Sequence, residues 1–244
     1  MRYAILADIH SNLTALEAVL ADIEKHGRAD ETWCLGDIVG YGPDPHESIE
    51  LLRKVSSTFV AGNHDWAAIG KIDTSLFNPE ATEAAHWTAG QLESEDIRFL
   101  ERLPLVIEKG NFTLAHGSPG DPIWEYVLSA ETAEENLGHF KTKYCLIGHS
   151  HVPLIFECNE FNSCSLIRPA VDRHIKLGDK RMIINPGGVG QPRDNDPRTS
   201  YAIYDNESGF LTFHRIEYDI KSVQRKMEQM GLPNRLISRL AYGR

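Results

Sequence analysis

The hydrophobic pattern of the chain switches repeatedly between two periods. Tyr3 to Ala7 is a short apolar run of β type, and after it Leu13, Leu16, Val19, Leu20 and Ile23 recur at helical spacing up to Gly27, a helix stop. Thr32 to Leu35 predicts a second strand, His46 to Val55 a helix, and Thr58 to Ala61 a third strand. Asn78-Pro79 pairs a side-chain cap with a first-position proline, so a helix opens there and runs to Leu92, with a further short helix after Ser94. This alternation predicts crossover units and a largely parallel sheet through the first two-thirds. After Pro104 the pattern changes: Leu105 to Glu108 and Phe112 to Ala115 flank a Gly110-Asn111 turn, which predicts a hairpin. Tyr144 to Ile147 is a further strand. Beyond His151 come Leu154 to Glu157, Met182 to Ile184, Tyr201 to Tyr204 and Phe210 to Ile216, with no clear helix between them, which predicts mostly antiparallel strands. Asp219 to Leu240 is helical, interrupted at Gly231 and Pro233.

With 244 residues, 41% of them apolar, the chain can bury a sizeable core, and residues 1–244 are expected to form a single domain. No window approaches the roughly 18 apolar residues of a membrane span, and Tyr3 to Ala7 is too short for a signal peptide. A cytoplasmic protein with no membrane partner is the expectation. A formal charge of -10 repels a polyanionic backbone, so non-specific nucleic-acid binding is not expected. Cys34, Cys145, Cys158 and Cys164 form no CxxC pair and are expected to be reduced thiols.

The chemistry lies in the residues that follow the strands. Asp8 and His10 follow the first, Asp37 the second, Asn63 and His64 the third; His116 ends the hairpin, and His149 and His151 follow the strand ending at Ile147. Strand ends of an α/β sheet are where loops converge on a rigid base. Most of these residues also adjoin glycine, as in Gly36-Asp37, Gly62-Asn63, His116-Gly117 and Gly148-His149, and glycine permits sharp turns and close approach to a ligand. An isolated Asp-x-His or Gly-Asp is usually a turn; the ordered set is a much stronger signal. Carboxylate, imidazole and amide donors without thiolate suit manganese, iron, zinc, cobalt or nickel. Asp8, His10, Asp37, Asn63, His116, His149 and His151 over-supply one ion, whereas two would fit if a carboxylate bridges them, the clamp used for in-line phosphoryl displacement.

The order Asp-x-His, Gly-Asp, Gly-Asn-His-Asp, His, Gly-His-x-His resembles the calcineurin-like metallophosphoesterases, with Asn185-Pro186-Gly187 through Arg193 similar to a further segment of their small bacterial and archaeal phosphodiesterase branch. The resemblance implies a mixed α/β fold, a two-sheet sandwich flanked by helices in four layers. It implies that Asp8, His10, Asp37 and His151 hold a first metal and Asp37, Asn63, His116 and His149 a second, two divalent ions per chain with manganese foremost. It also implies a phosphodiesterase whose nucleophile is a hydroxide bridging the ions. The sequence departs at Gly40, where many members carry a second aspartate, and at Gly188, where serine is frequent.

His64 is read either as a turn histidine satisfied by Asp65 or, within the motif, as a catalytic residue that faces the substrate and protonates the leaving oxygen or stabilises phosphoryl charge. Arg193 is read as a surface arginine paired with Asp194 or Asp196, or as a substrate-binding phosphate contact. Trp66, Trp87, Trp124 and Tyr126 are expected chiefly in the core, with one or two beside the leaving group. His26, His46, His86, His139, His174 and His214 receive no chemistry, His26 being a helix-end residue. The expected substrate is a small phosphate ester, a nucleotide among the candidates. Phosphomonoesterase and dinucleoside polyphosphate hydrolase are the enzymatic alternatives; a non-catalytic scaffold is disfavoured by the intact Asn63-His64-Asp65.

Overall fold

In the computed structural model, which describes residues 1–244, alternate side chains of the first strand enter two different cores. β1 (Arg2–Leu6) sends Ala4 and Leu6 to one face and Ile5 to the other, and all three are fully buried. A strand buried on both faces must lie inside a stack of layers. β1 pairs in parallel with β2 (Glu31–Cys34), which pairs in parallel with β3 (Thr58–Phe59); the crossovers are α1 (Leu13–Lys25) and α2 (Pro45–Val55). Asn12 caps α1, its Oδ1 accepting the Ala15 N–H at 3.1 Å.

Two mixed six-stranded sheets form the centre. The first has the order β3-β2-β1-β11-β12-β9, where β11 (Thr199–Asp205), β12 (Phe210–Ile216) and β9 (His174–Lys176) join by antiparallel pairing. The second has the order β4-β5-β6-β10-β7-β8. It is built from the hairpin β4 (Val106–Lys109) and β5 (Phe112–Ala115), then β6 (Tyr144–Leu146), β10 (Arg181–Pro186), β7 (Pro153–Cys158) and β8 (Cys164–Ile167). Ile5, Trp33 and Phe213 of the first sheet meet Phe112, Leu146 and Ile184 of the second between the layers. α1 and α2 cover the outer face of the first sheet. α6 (Ala130–Asn136) covers the second through Ala133. α4 (Pro79–Ala89), α7 (Ile220–Gln229) and α8 (Asn234–Arg239) form a separate cluster around Tyr41, whose buried members include Ala84, Met227 and Leu236. No helix is long and apolar enough to cross a membrane.

The expected two-sheet sandwich flanked by helices is what the chain forms. The expectation of one largely parallel sheet is refined: the parallel strands of the first two-thirds divide between two sheets, and β10 inserts between β6 and β7. Four elements escape the periodic pattern: α3 (Asn63–Ala68), α6, β8 and β9 are too short to show a period, although Ser129 caps α6 on the Thr132 N–H. The expected four reduced thiols are corrected to two. Cys158 and Cys164 form a disulfide, because β7 and β8 pair antiparallel and set these residues opposite each other across the hairpin; Cys34 and Cys145 remain free and buried.

Candidate metal centre

The loops after β1, β2, β3, β5 and β6 bring Asp8, His10, Asp37, Asn63, His116, His149 and His151 together, none more than 4% exposed. A backbone lattice holds the loops in register: the Asp8 N–H donates to Gly36 O (3.1 Å), that of His10 to Asp37 O (2.9 Å) and that of Gly148 to His116 O (2.8 Å). Asp8, His10, Asp37, His149 and His151 all adopt left-handed backbone, with φ between 48° and 65°. Such conformations cost on the order of 1 kcal/mol or more each and concentrate at functional sites. Gly62 lets β3's loop approach closely, since a Cβ there would sit 2.0 Å from Asp37 Oδ1.

Each imidazole is locked by a carbonyl. His10 Nδ1 donates to Val39 O (3.1 Å), His116 Nδ1 to Leu35 O (2.8 Å), His151 Nδ1 to Gln191 O (2.6 Å), and His149 Nε2 to Trp124 O (3.3 Å). The opposite nitrogen of each ring is thereby left as a lone pair facing inward, the orientation that metal-binding histidines adopt. These lone pairs confront other acceptors. His10 Nε2 lies 3.2 Å from His151 Nε2, and His116 Nε2 lies 3.1 Å from Asn63 Oδ1 and 3.2 Å from His149 Nδ1. Asp8 Oδ2 and Asp37 Oδ2 are buried with no hydrogen-bond donor. Unsatisfied buried acceptors are costly, and a cation is what satisfies several at once.

The donors fall into two groups, Asp8 with His10, Asp37 and His151, and Asp37 with His116 and His149; within each, one ligand atom per residue lies within 4.8 Å of the others. Asp37 belongs to both, its Oδ2 standing 3.5 Å from His10 Nε2 and 3.3 Å from His116 Nε2. These buried Asp and His groups can hold divalent metal. The electrostatics agree. Burial pushes Asp8 up to about 7, moderated by His116. Burial would also raise Asp37, but His116, His64 and His10 outweigh it and hold the carboxyl well below its usual range. Burial works against the His116 imidazolium, yet the Asp37 charge raises it to about 9, so a proton is drawn to the nitrogen that a cation would otherwise occupy. Burial keeps His10 and His151 neutral and lowers His149 to about 3.

His64 lies beside this set, 5% exposed, with its ring edge-on to His10 (centroids 4.9 Å apart) and against Tyr41 and Phe77. Asp65 does not satisfy it. Asp65 Oδ1 accepts the Ile38 and Val39 N–H groups (2.8 and 3.1 Å) and Oδ2 that of Gly62 (2.9 Å), so this carboxylate ties the β2 and β3 loops together. His64 Nδ1 has no partner, and a Cβ at Gly40 (φ +91°) would lie 2.8 Å from it. Burial lowers His64 to about 4.

Arg193 pairs with neither Asp194 nor Asp196, which bind Arg215 and Arg198. Its guanidinium instead bonds Gln191 Oε1 (2.9 and 3.2 Å) and lies over the Tyr41 ring, where its charge reaches His10, His64, His149 and His151. Trp66 and Trp87 pack against core clusters as expected, whereas Tyr126 stacks on His149 at 3.8 Å between centroids and Trp124 packs edge-on against Phe77. Sequence reasoning missed Arg239, which α8 brings beside Arg193; burial, with Arg193's charge second, lowers it to about 10. It also missed Asn185 as a strut. Asn185 Nδ2 donates to Gly148 O and Ser150 Oγ, holding the loop that carries His149 and His151.

Comparison with known proteins agrees with this architecture. Residues 1–209 match the calcineurin-like phosphoesterase superfamily domain. The crystal structure of a metallophosphoesterase from Sphaerobacter thermophilus is 48% identical with a TM-score of 0.91, covering 100% of this chain and 99% of that one. An uncharacterised protein of Methanocaldococcus jannaschii is 40% identical over 99% of this chain and 98% of its own length. A symmetrical bis(5'-nucleosyl)-tetraphosphatase of Shewanella baltica is 29% identical over 54% of the chain and 50% of its own length, so the chain spans about half of that relative. The chain belongs to the calcineurin-like phosphoesterase superfamily and is a metallophosphoesterase, a hydrolase of phosphoric esters.

Proposed function

We propose that the chain is a phosphodiesterase that works with two divalent cations, Asp8, His10, Asp37 and His151 holding one and Asp37, Asn63, His116 and His149 the other. The observation that carries this reading is Asp37, whose donor-free Oδ2 faces both donor groups. The donor chemistry suits manganese first, with iron, zinc, nickel and cobalt as alternatives. Bound there, such ions supply positive charge to the phosphoryl oxygens and lower the pKa of water toward ~7.

The chain's own residues do the rest. Arg193 presents a planar guanidinium to two phosphoryl oxygens. His64 stands beside the donor set, edge-on to His10, and donates to the ester or its leaving oxygen. Because burial disfavours its charged form, the anionic ester itself must stabilise the imidazolium if His64 delivers a full proton. Tyr126, stacked on His149, and Trp124, whose carbonyl holds His149, stand beside the donor set where a leaving group would lie. The protein acts as one domain in the cytoplasm on a small ester.

A second reading, dinucleoside polyphosphate hydrolysis, is favoured by the paired guanidiniums of Arg193 and Arg239, which suit a chain of phosphates, and by the relative from Shewanella baltica. One experiment addresses both: manganese-loaded protein assayed side by side on a generic phosphodiester, a phosphomonoester and a diadenosine polyphosphate, with bound metal counted. Faster diester cleavage at two ions per chain is expected. Preference for the monoester would overturn the diesterase reading, faster cleavage of the polyphosphate would favour the second, and saturation at one ion would overturn the binuclear centre.

A further inference from the structure

A second cluster of metal-type donors lies at the opposite end of α1. That helix has 13 residues, so its last turn is roughly 20 Å from the loop that carries Asp8 and His10. Asp22 and His26 stand one turn apart and project from the same side of the helix. They meet His214 of β12. The His26 and His214 rings lie 4.4 Å apart between centroids and 37° from parallel, close to the 4.8 Å and 22° of His10 and His151. His26 Nε2 is 3.4 Å from Asp22 Oδ2, and one ligand atom from each of the three residues falls within 4.8 Å of the others.

Two of these donors are held from behind. His214 Nδ1 bonds Asp172 Oδ1 at 2.8 Å, which leaves Nε2 as its ligating nitrogen, and the Tyr201 hydroxyl donates to Asp22 Oδ2 at 2.7 Å. Tyr201 also stacks on the His214 ring. A carboxylate behind the imidazole and a hydroxyl behind the carboxylate are how proteins orient ligands around an ion. His26 is the accessible member: its side chain is 44% exposed, against 11% for Asp22 and 6% for His214. It opens on a cavity of about 380 Å³ also lined by Arg2, His174 and Thr212. The cluster is therefore reached from solvent on the His26 side.

We propose that Asp22, His26 and His214 form a separate site for a zinc-type divalent cation, with water completing a tetrahedral shell. Two imidazoles and one carboxylate suit zinc, whereas calcium and magnesium prefer all-oxygen shells. Three protein donors with a watered fourth position is a half-open arrangement. Its role is a staple between the C-terminal end of α1 and β12, so bound ion stabilises the fold and takes no part in ester hydrolysis.

The test compares the wild-type full chain with His26→Gln, chosen because His26 is half-exposed and its backbone cap on Asp22 O does not depend on the side chain. Both are saturated with zinc, desalted and analysed for metal. One zinc per chain fewer in the variant, with unchanged manganese-supported hydrolysis and a smaller rise in Tm on adding zinc, is expected. Equal zinc counts would overturn the site. Only the difference is read, so the number of ions at Asp37 does not affect the outcome. Anomalous scattering from zinc-soaked wild-type crystals provides an independent reading: a peak among Asp22, His26 and His214 supports the staple, and its absence overturns it.

Discussion

The carboxylate of Asp37 accepts the backbone N–H of His64 at 2.8 Å through Oδ1, while its Oδ2 faces His10 and His116. One side chain thus couples the donor set to the residue proposed to touch the ester, across 27 positions of sequence.

Asp37→Asn should separate these two duties. The amide oxygen can still accept from His64, so the loop should keep its shape, but the anion shared by both donor groups is gone. Both ions should bind more weakly together, and activity should nearly vanish at limiting manganese. Metal titration followed by elemental analysis checks this; wild-type rates at limiting metal would remove Asp37 from the bridge.

His64→Ala should leave the metal count unchanged, since no candidate donor uses its ring as a partner. General-acid assistance is worth roughly 10² to 10⁴-fold, and the loss should be greatest for alkyl or ribose leaving groups and least for a nitrophenolate. The measurement is kcat across leaving groups of graded pKa, with bound metal determined in the same samples. Equal losses across the series would assign His64 to electrostatic stabilisation of the phosphoryl oxygens. A fall in metal content would make it a ligand.

Arg193→Ala should raise KM for the ester with little change in metal content. A hydrogen bond to a charged group is worth about 1.5–3 kcal/mol, or roughly 10- to 150-fold. Lysine at this position should recover only part of the loss, because a point charge cannot match two oxygens in one plane. Unchanged KM in both variants would return Arg193 to a structural role on Gln191.

Acidification should destabilise the metal-free chain. His64 and His149 are lowered to about 4 and 3, and His10 and His151 are lowered too, so from pH 6.5 down toward 4 the unfolded state takes up protons that the folded state refuses. Asp8 and Asp65, both raised to about 7, act in the opposite sense, because the folded state protonates them first. His116, raised to about 9, acts with these two carboxyls, since its unfolded form is still taking up its proton between pH 7 and 5. The four depressed imidazoles outnumber the three opposing groups, so the balance favours loss of stability toward acid. Thermal melts of chelator-treated protein at pH 7 and pH 5 should show a lower Tm at pH 5; an equal or higher one would contradict the burial of these rings as neutral species.

The sequence by itself determined the order of the longer elements, though not α3, α6, β8 and β9, and the strand-end placement of Asp8, His10, Asp37, Asn63, His116, His149 and His151, because both are local. Hydrophobic period reports which face of a segment is buried, and a polar residue beside glycine at the end of an apolar run marks a loop. What the tertiary structure decided depends on partners distant in sequence. The carbonyls that fix the tautomers of His10, His116, His149 and His151 lie 29, 81, 25 and 40 residues away and carry no residue-type signal, since every residue has a carbonyl. The same holds for Arg239 beside Arg193 and for His214 facing His26, which are set by how α8 and β12 pack. Cys158 and Cys164 are joined because of strand register, which short segments specify only once neighbouring strands are in place. The left-handed turns at five of the seven donors are likewise tolerated by Asp and His but not demanded by them, so only the surrounding lattice of hydrogen bonds imposes them.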